Sequence, residues 1–304
     1  IEELLPRVLD GYDSSAVGKW HLLCFDNGTV NHPLDAGFGY YAGSLFNLDE
    51  RSPRSEVCRP LGPLGKPLPL TYTNWLKTYD ATGSGQLSSA CTQTYATTDT
   101  ADEGLLRARC MRAPWFLYVA FNAPHWPVHD PPRALCPDAA SCVERACGGP
   151  RTKDRALRQA AMLEALDTEL GRMLADIRAR DPNTYVFVIG DNGSEDAPAS
   201  EGEAGEKHGK ATLFEGGLHV PLLAVGPGVV RGECAALVGS TDLFATICEL
   251  AGVDAPAEDS ISLVPYLRGA LARGELVGRV VLAALGHEHE RAVVPHEEAR
   301  EEAL

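Results

Sequence analysis

Three polar residues in one short stretch of this sequence have the chemistry to bind a charged ester. Asp191 and Asn192 follow directly after the apolar residues 185–190, and Lys210 comes after a polar, acidic loop. Carboxylate and amide oxygens are hard ligands that suit Ca²⁺ or Mg²⁺, and a lysine side chain binds an anion. The stretch therefore predicts an oxygen pair for a cation and a nearby lysine for an anion, which suggests hydrolysis of a charged ester.

Two other apolar segments end in the same way. Residues 14–18 are a short strand candidate followed by Lys19 and His21, and the all-apolar residues 115–121 are followed by His125. Because the carboxyl ends of parallel strands meet at one edge of a sheet, we expect these side chains and the oxygen pair to converge there. Taken singly, each has an ordinary alternative: a solvated lysine, a structural histidine or a plain Asp-Asn-Gly turn. Three such endings together favour a functional site.

The elements that position these residues have the pattern of a doubly wound α/β fold. The runs 115–121 and 185–190 are each long enough for one strand that is apolar on both faces, as in the middle of a parallel sheet. Between them, residues 152–180 carry apolar side chains at mostly three- and four-residue steps, which predicts a long amphipathic helix. A strand, a crossover helix and a second strand in this order predict a mostly parallel sheet flanked by helices.

Weaker patterns indicate the remaining elements. Residues 24–100 have little periodicity and are expected to be long connections with short elements, and residues 287–304 a peripheral tail. The other predicted elements are a helix over residues 1–9, a strand over residues 220–225, a helix over residues 241–250 capped by Thr241 or Ser240, and a strand over residues 280–285.

Composition limits the class of protein and of partner. The 304 residues include 44% hydrophobic and 23% charged residues, which is typical of a globular chain with a sizeable core. The net charge of -15 argues against nucleic acid and anionic membrane surfaces as partners. No apolar run reaches the roughly 18 residues of a membrane-spanning helix. An anionic substrate must then be attracted by local cations or a metal.

The nine cysteines favour an exported protein with disulfides over one with free buried thiols. Cys136, Cys142 and Cys147 are close together, but their C-x5-C-x4-C spacing lacks the C-x-x-C pairs of zinc sites. The odd count leaves at least one thiol unpaired within the chain. We therefore predict a secreted or periplasmic location.

Four motifs, in order and spacing, resemble those of the sulfatase family of the alkaline-phosphatase superfamily. They are V-G-K-W-H at residues 17–21, N-A-P-H-W-P at 122–127, D-N-G at 191–193 and K-A-T-L-F-E-G-G at 210–217. Intervening segments resemble the family's H-P-x-x-x-G-F-x-x-x-Y-G stretch at residues 32–43, its helical D-x-x-x-G at 167–171, and its D-x-x-P-T-x-x-x-x-A-G helix at 242–252, with Ala245 in place of proline.

The resemblance implies an alkaline-phosphatase-like, three-layer α/β fold with a mostly parallel central sheet flanked by helices. It implies a sulfatase catalytic domain over residues 1–255 and the start of a C-terminal subdomain over residues 256–304. It also implies a divalent cation, usually Ca²⁺ with Mg²⁺ as the alternative, for which Asp191 and Asn192 supply half of the ligand shell.

The resemblance assigns roles to four basic residues as well. Lys19 and Lys210 resemble the lysines that bind the ester oxygens and stabilise the charge of the transition state. His21 resembles the histidine that helps to release sulfate from the covalent intermediate. His125 resembles the histidine that contacts the sulfate and assists the leaving oxygen as general acid.

The family's nucleophile is not found in this sequence. Family members use a formylglycine made from the cysteine of a C-x-P-x-R motif, which normally lies with an Asp-Asp metal pair before V-G-K-W-H. The near match at residues 58–62 has Gly62 in place of arginine and lies after that motif. We therefore expect the chain to be an N-terminally truncated sulfatase that is inactive alone.

The expected substrate is a small-molecule or glycan sulfate ester, and the sequence leaves the oligomeric state open. Two alternatives to a sulfatase remain at this point. One is a phosphodiesterase or phosphonate hydrolase of the same superfamily. The other is a non-catalytic module that holds an anionic sugar through Lys19, His21, His125 and Lys210.

Overall fold

The computed structural model describes residues 5–22, 29–48, 58, 71–137, 155–193, 209–256, 259–269, 282–283 and 292–293. The chain divides into two compact units, Ile1–Asp181 and Pro182–Leu304, each of which has its own secondary structure. In the part that is described, no helix is long and apolar enough to cross a membrane.

The first unit is built on a five-stranded mixed sheet with the strand order β4-β3-β2-β1-β5. Strand β1 runs parallel to both β2 and β5, whereas β3 pairs antiparallel with β2 and β4. The strands predicted over residues 14–18 and 115–121 are thus neighbours, as expected. The strands are β1 (Asp13–Lys19), β2 (Tyr40–Ser44), β3 (Trp75–Tyr79), β4 (Ser88–Thr92) and β5 (Trp115–Ala120).

Small residues allow β1 to lie between its two parallel neighbours at close range. A Cβ atom built on Gly18 would lie 2.0 Å from the carbonyl oxygen of Ala120 in β5. One built on Gly43 of β2 would lie 1.8 Å from the carbonyl oxygen of Gly18. The backbones of β1, β2 and β5 therefore lie too close together for any side chain at Gly18 or Gly43.

Two long helices pack together in the first unit. The helix predicted over residues 152–180 is confirmed, since α4 covers Arg155–Arg180, and α3 covers Ala96–Cys110. The buried carboxylate of Glu169 joins them, because it accepts hydrogen bonds from Thr98 Oγ1 at 2.6 Å and from Arg172 Nε at 2.7 Å. A buried carboxylate needs such partners to be tolerated. Short helices α1 (Leu5–Val8) and α2 (His32–Asp35) and a 3-10 turn (Arg133–Leu135) complete the unit.

Residues 24–100 were expected to form long connections with short elements. This was wrong for residues 96–100, which form the beginning of the long helix α3. The helix buries small and polar residues in place of an apolar stripe, so its periodicity is weak in the sequence. Its buried residues are Ala96, Thr97, Asp99, Thr100, Ala101, Gly104 and Leu105.

The described residues of the second unit form two antiparallel strand pairs and short helices. Strand β6 (Val186–Ile189) pairs with β7 (Leu222–Val225), and β8 (Leu282–Ala283) pairs with β9 (Ala292–Val293). Helices are α5 (Glu215–Leu218), α6 (Asp242–Ala251) and α7 (Val264–Leu267). Strands predicted over residues 220–225 and 280–285 are thus present, in shorter form.

The prediction that residues 185–190 form the middle strand of a parallel sheet was wrong. These residues do form a strand, but β7 is its neighbour among the described strands, and the pairing is antiparallel. Its side chains are half-buried, and Ile189 is 36% exposed. A four-residue apolar run fits either environment, because its pattern does not specify which strand pairs with it.

Helix α6 was predicted correctly, and Thr241 is its N-cap residue, as one of the two predicted caps. The Thr241 side chain makes no capping hydrogen bond among the described residues, however. The buried Asp242 carboxylate instead accepts the Gly239 N–H at 2.7 Å and the Ile261 N–H at 3.0 Å. The helix ends at Gly252, whose φ of 70° is accessible to glycine without strain.

One disulfide joins Cys58 to Cys91, and Cys136 is also disulfide-bonded. The disulfide prediction is thereby confirmed for these residues, while Cys110, Cys234 and Cys248 are free thiols. Cys58 is oxidised, so the near match at residues 58–62 does not provide the nucleophile.

The Cys58–Cys91 bridge should contribute measurably to stability. Its cysteines are separated by 33 positions, and the cross-link restricts the unfolded chain. Replacing both cysteines by serine should lower the free energy of unfolding by about 2–4 kcal/mol, measured by denaturant titration. Cys110→Ser, which removes an exposed free thiol, is the control and should change little. Equal stability of the double variant and the parent would contradict the expectation.

Candidate active site

The end of β1 presents Lys19 and His21. Lys19 is the last residue of the strand and lies in register with Ser44 of β2. The ladder continues beyond it, since the Trp20 N–H donates to Ser44 O and the His21 N–H to Leu45 O, both at 2.9 Å. His21 is exposed and has φ of 46°, a left-handed conformation that is uncommon outside glycine. The extended backbone of β1 therefore ends at His21.

Trp20 anchors this strand end in the core. Its ring is buried, its Nε1 donates to His32 Nδ1 at 2.9 Å, and it makes edge contacts with Phe38 and Tyr41. Because successive side chains of an extended segment alternate in direction, Lys19 points away from the core that Trp20 enters. The segment over residues 32–43 thus fixes the Lys19 backbone by supplying the partners of Trp20.

The end of β5 presents His125 on a tightly held turn. The His125 N–H donates to Asn122 O at 2.8 Å, and the Tyr72 hydroxyl donates to His125 O at 2.9 Å. His125 Nδ1 lies 2.9 Å from Trp126 O. Because a carbonyl only accepts hydrogen bonds, Nδ1 carries a proton, and Nε2 is the ring atom able to exchange one.

Ser44 connects the two strand ends, and sequence reasoning missed it. Its carbonyl accepts the Trp20 N–H, and its Oγ lies 3.2 and 3.3 Å from the side-chain amide of the buried Asn122. The ends of β1, β2 and β5 therefore meet at Ser44. Within the first unit, Lys19 ends β1, His21 follows it, and His125 follows the adjacent parallel strand β5, as predicted. The convergence of these residues with Asp191 and Asn192 stays a prediction.

The oxygen pair in the second unit lies in a turn supported by glycines. Asp191 and Asn192 follow β6 and are exposed. The next residue, Gly193, donates its N–H to Gly217 O at 3.2 Å. A Cβ atom on Gly193 would lie 1.9 Å from the Gly216 carbonyl oxygen, so only glycine fits here.

Lys210 lies in a second turn that rests on the same glycines. Thr212 closes this turn, with its N–H and hydroxyl both donating to Gly209 O at 3.2 and 2.6 Å. A Cβ atom on Gly217 would lie 2.4 Å from Thr212 O. The glycine pair at residues 216–217 thus packs against both the Asp-Asn-Gly turn and the Lys210 turn. His219, by contrast, forms an exposed pair with Glu215 at 2.9 Å.

Comparison with known proteins identifies the family. The sequence model of the sulfatase family matches residues 2–253. This chain belongs to the sulfatase family. The resemblance seen in the four motifs is thereby confirmed, and so is the alkaline-phosphatase-like α/β fold class.

Curated sulfatases are similar over nearly the whole chain. N-acetylgalactosamine-6-sulfatase of Sus scrofa is 32% identical over 94% of this chain and 52% of its own length. The Homo sapiens protein of that name is 32% identical over 92% and 50%, and arylsulfatase A of Bos taurus is 27% identical over 88% and 52%. The chain spans about half the length of the curated relatives it matches.

A solved structure supports the fold. It comes from work on the metabolism of multiple glycosaminoglycans by Bacteroides thetaiotaomicron. Its TM-score to this chain is 0.60, and the sequence identity is 17%. The match covers 95% of this chain and 61% of that one. At this identity the likeness concerns the fold alone.

Sulfatases generally use a metal ion and a formylglycine, and the oxygen pair fits part of a metal site. The Asp191 carboxylate and the Asn192 amide supply adjacent hard oxygen donors. Among the described residues, no group of three or more His, Cys, Asp or Glu side chains is placed to hold one ion. Ca²⁺ takes about six to eight oxygen ligands, so these two residues form part of a shell.

His129 packs against Tyr72, whose hydroxyl group holds the His125 carbonyl, and its contacts are those of a structural residue. Its Nε2 lies 3.0 Å from the Tyr95 hydroxyl, its Nδ1 lies 2.9 Å from Pro127 O, and its ring lies 4.2 Å from that of Tyr72. Burial lowers the pKa of His129 below its ordinary value. A neutral ring that donates from Nδ1 and accepts at Nε2 satisfies both contacts.

This burial predicts a loss of stability in mild acid. Because the pKa is lower in the folded state, the unfolded chain takes up the proton first. The contribution of His129 is therefore complete above the unfolded pKa of about 6.5 and declines as the pH falls towards the folded pKa. Melting temperatures between about pH 7.5 and pH 5.5 should fall more steeply for the parent than for His129→Gln. Parallel profiles would contradict this assignment.

Proposed function

We propose that this chain supplies metal-binding and sulfate-binding residues of a sulfatase that hydrolyses a sulfate ester with a divalent cation and a formylglycine. The observation that carries the proposal is the pair of strand ends joined at Ser44, which presents Lys19 and His125 on two of the four sulfatase motifs. The match of the family model to residues 2–253 supports it.

The basic residues are proposed to act on the sulfate group itself. The ammonium groups of Lys19 and Lys210 bind ester oxygens and stabilise the negative charge that develops on them in the transition state. Trp20 and Thr212 hold the backbones beside these lysines in place. Such fixed cations stabilise a transition state better than mobile water does, because they need no reorientation during the reaction.

The histidines are proposed to move protons. His125 donates a proton from Nε2 to the leaving alcohol oxygen, and its ring orientation is set by the contact between Nδ1 and Trp126 O. His21 assists the release of sulfate from the covalent intermediate. Its exposed position after β1 leaves it accessible to a substrate.

Asp191 and Asn192 are proposed to hold the cation, with Ca²⁺ preferred and Mg²⁺ as the alternative. When bound, the ion neutralises negative charge on the sulfate and on the nucleophile's oxygen. The all-oxygen donors suit either ion, and the preference for Ca²⁺ rests on the resemblance of the motifs to those of the sulfatase family.

A sulfated sugar is the substrate class that we propose first, because N-acetylgalactosamine-6-sulfatases are among the curated relatives at 32% identity. We also propose that the protein acts outside the cytoplasm. The disulfide between Cys58 and Cys91 supports an oxidising compartment.

Hydrolysis of two substrate classes tests the proposal. The protein encoded by the whole reading frame in which this sequence lies is assayed with a sulfate monoester and with a phosphate diester. A sulfatase should give the larger kcat/KM with the sulfate monoester. A dominant diesterase rate would replace the proposal by a phosphodiesterase of the same superfamily.

A further inference from the structure

The residue after His125 is an exposed aromatic whose position suits contact with the substrate. The Trp126 side chain is 50% exposed, although tryptophan is usually highly buried. The arginine guanidinium of Arg155, at the start of α4, lies 5.5 Å from the centre of its ring. One part of the indole is therefore covered by a cation, while half of the side chain faces solvent.

The backbone on both sides of Trp126 is restrained. Pro124 and Pro127 fix φ at two nearby positions, and the Trp126 carbonyl accepts a hydrogen bond from His125 Nδ1 at 2.9 Å. The Tyr72 hydroxyl holds the preceding carbonyl, that of His125. Adjacent Cα atoms lie about 3.8 Å apart, so the indole is carried by the residue next to the one that is proposed to contact the leaving oxygen.

We propose that Trp126, backed by Arg155, is a specificity-determining residue on which the ring of the sulfated alcohol stacks. This inference rests on the proposed function, because that function places the leaving oxygen at His125. An exposed indole offers a flat, apolar face that suits the C–H face of a sugar or an aryl ring. The adjacent guanidinium polarises the indole and holds its orientation through the cation–π contact.

The proposal predicts that Trp126 discriminates between cyclic and acyclic esters. Trp126→Ala should raise KM for N-acetylgalactosamine 6-sulfate by about 3- to 10-fold, with little change in kcat. KM for hexyl sulfate and inhibition by inorganic sulfate should not change, because neither offers a ring. Trp126→Phe should retain most of the affinity for the cyclic ester. Leu106→Ala, which truncates a side chain equally exposed at 50% on α3, is the control for surface truncation.

The inference is overturned if Trp126→Ala changes KM equally for both esters, or for neither. Tryptophan fluorescence provides a second readout that does not require turnover. Binding of N-acetylgalactosamine 6-sulfate should change the emission of the parent and not that of Trp126→Phe. If the parent shows no turnover but does show this difference, the proposed reaction fails and the stacking site stands. If the two proteins respond equally, the stacking site fails whatever the activity.

Discussion

Replacing Lys210 by alanine should lower kcat/KM for a sulfate ester by about 10²- to 10³-fold, and Lys19→Ala should do the same. The physical reason is that each lysine is proposed to hold a fixed positive charge at the ester oxygens, where charge develops in the transition state. Both lysines are half-buried. Backbone hydrogen bonds hold the chain next to each of them, from the Trp20 N–H to Ser44 O and from the Thr212 N–H to Gly209 O. The measurement is steady-state kinetics, with kcat and KM determined separately.

Removal of an exposed charge elsewhere in the same unit is the control. Arg231 is exposed, and Arg231→Ala changes the net charge by the same amount as Lys210→Ala. It should leave kcat/KM close to that of the parent. If Lys210→Ala and Arg231→Ala have equally small effects, Lys210 does not contact the reacting group. If both reduce the rate equally, the effect comes from overall charge.

Replacing Gly18 by alanine should destabilise the first unit by about 3 kcal/mol or more. The new Cβ would lie 2.0 Å from the Ala120 carbonyl oxygen, and the φ of 91° is unfavourable for alanine. Relief of the clash requires β1 and β5 to separate at their carboxyl ends, where Lys19 and His125 follow. The variant should therefore lose activity as well as stability, as measured by denaturant unfolding and by the sulfate-ester assay.

Gly171 provides a matched glycine-to-alanine control. It lies within α4, and a Cβ atom built there has no neighbour within 4 Å. Gly171→Ala should stabilise the protein by about 0.5–1 kcal/mol, because alanine has the higher helix propensity. A stability of Gly18→Ala within about 0.5 kcal/mol of the parent would show that the strands are not as close as described.

Local patterns predicted the parts of the fold that depend on short-range physics. The run over residues 115–121 and the helical periodicity over residues 152–180 gave the correct elements, because burial of one face requires such spacing. Strand β1 and its polar ending were also predicted. The placement of Lys19 and His125 at the ends of adjacent parallel strands followed from the expectation that parallel strands end at one edge.

Long-range contacts could not be predicted in this way. Ser44 has no sequence signal, since a serine at the end of a strand is common, and its importance arises from Asn122, far along the chain. Helix α3 was missed because threonine and alanine form its buried face. The environment of β6 was predicted wrongly because an apolar strand does not identify its partner.

The dependence of hydrolysis on a divalent cation tests the central claim most directly. In the protein encoded by the whole reading frame, sulfate-ester hydrolysis should fall to background when Ca²⁺ and Mg²⁺ are chelated and should return when Ca²⁺ is added. Asp191→Ala should prevent this recovery at the Ca²⁺ concentration that restores the parent. Binding of a sulfated sugar with no turnover and no response to Ca²⁺ would contradict the account and indicate a non-catalytic binding module.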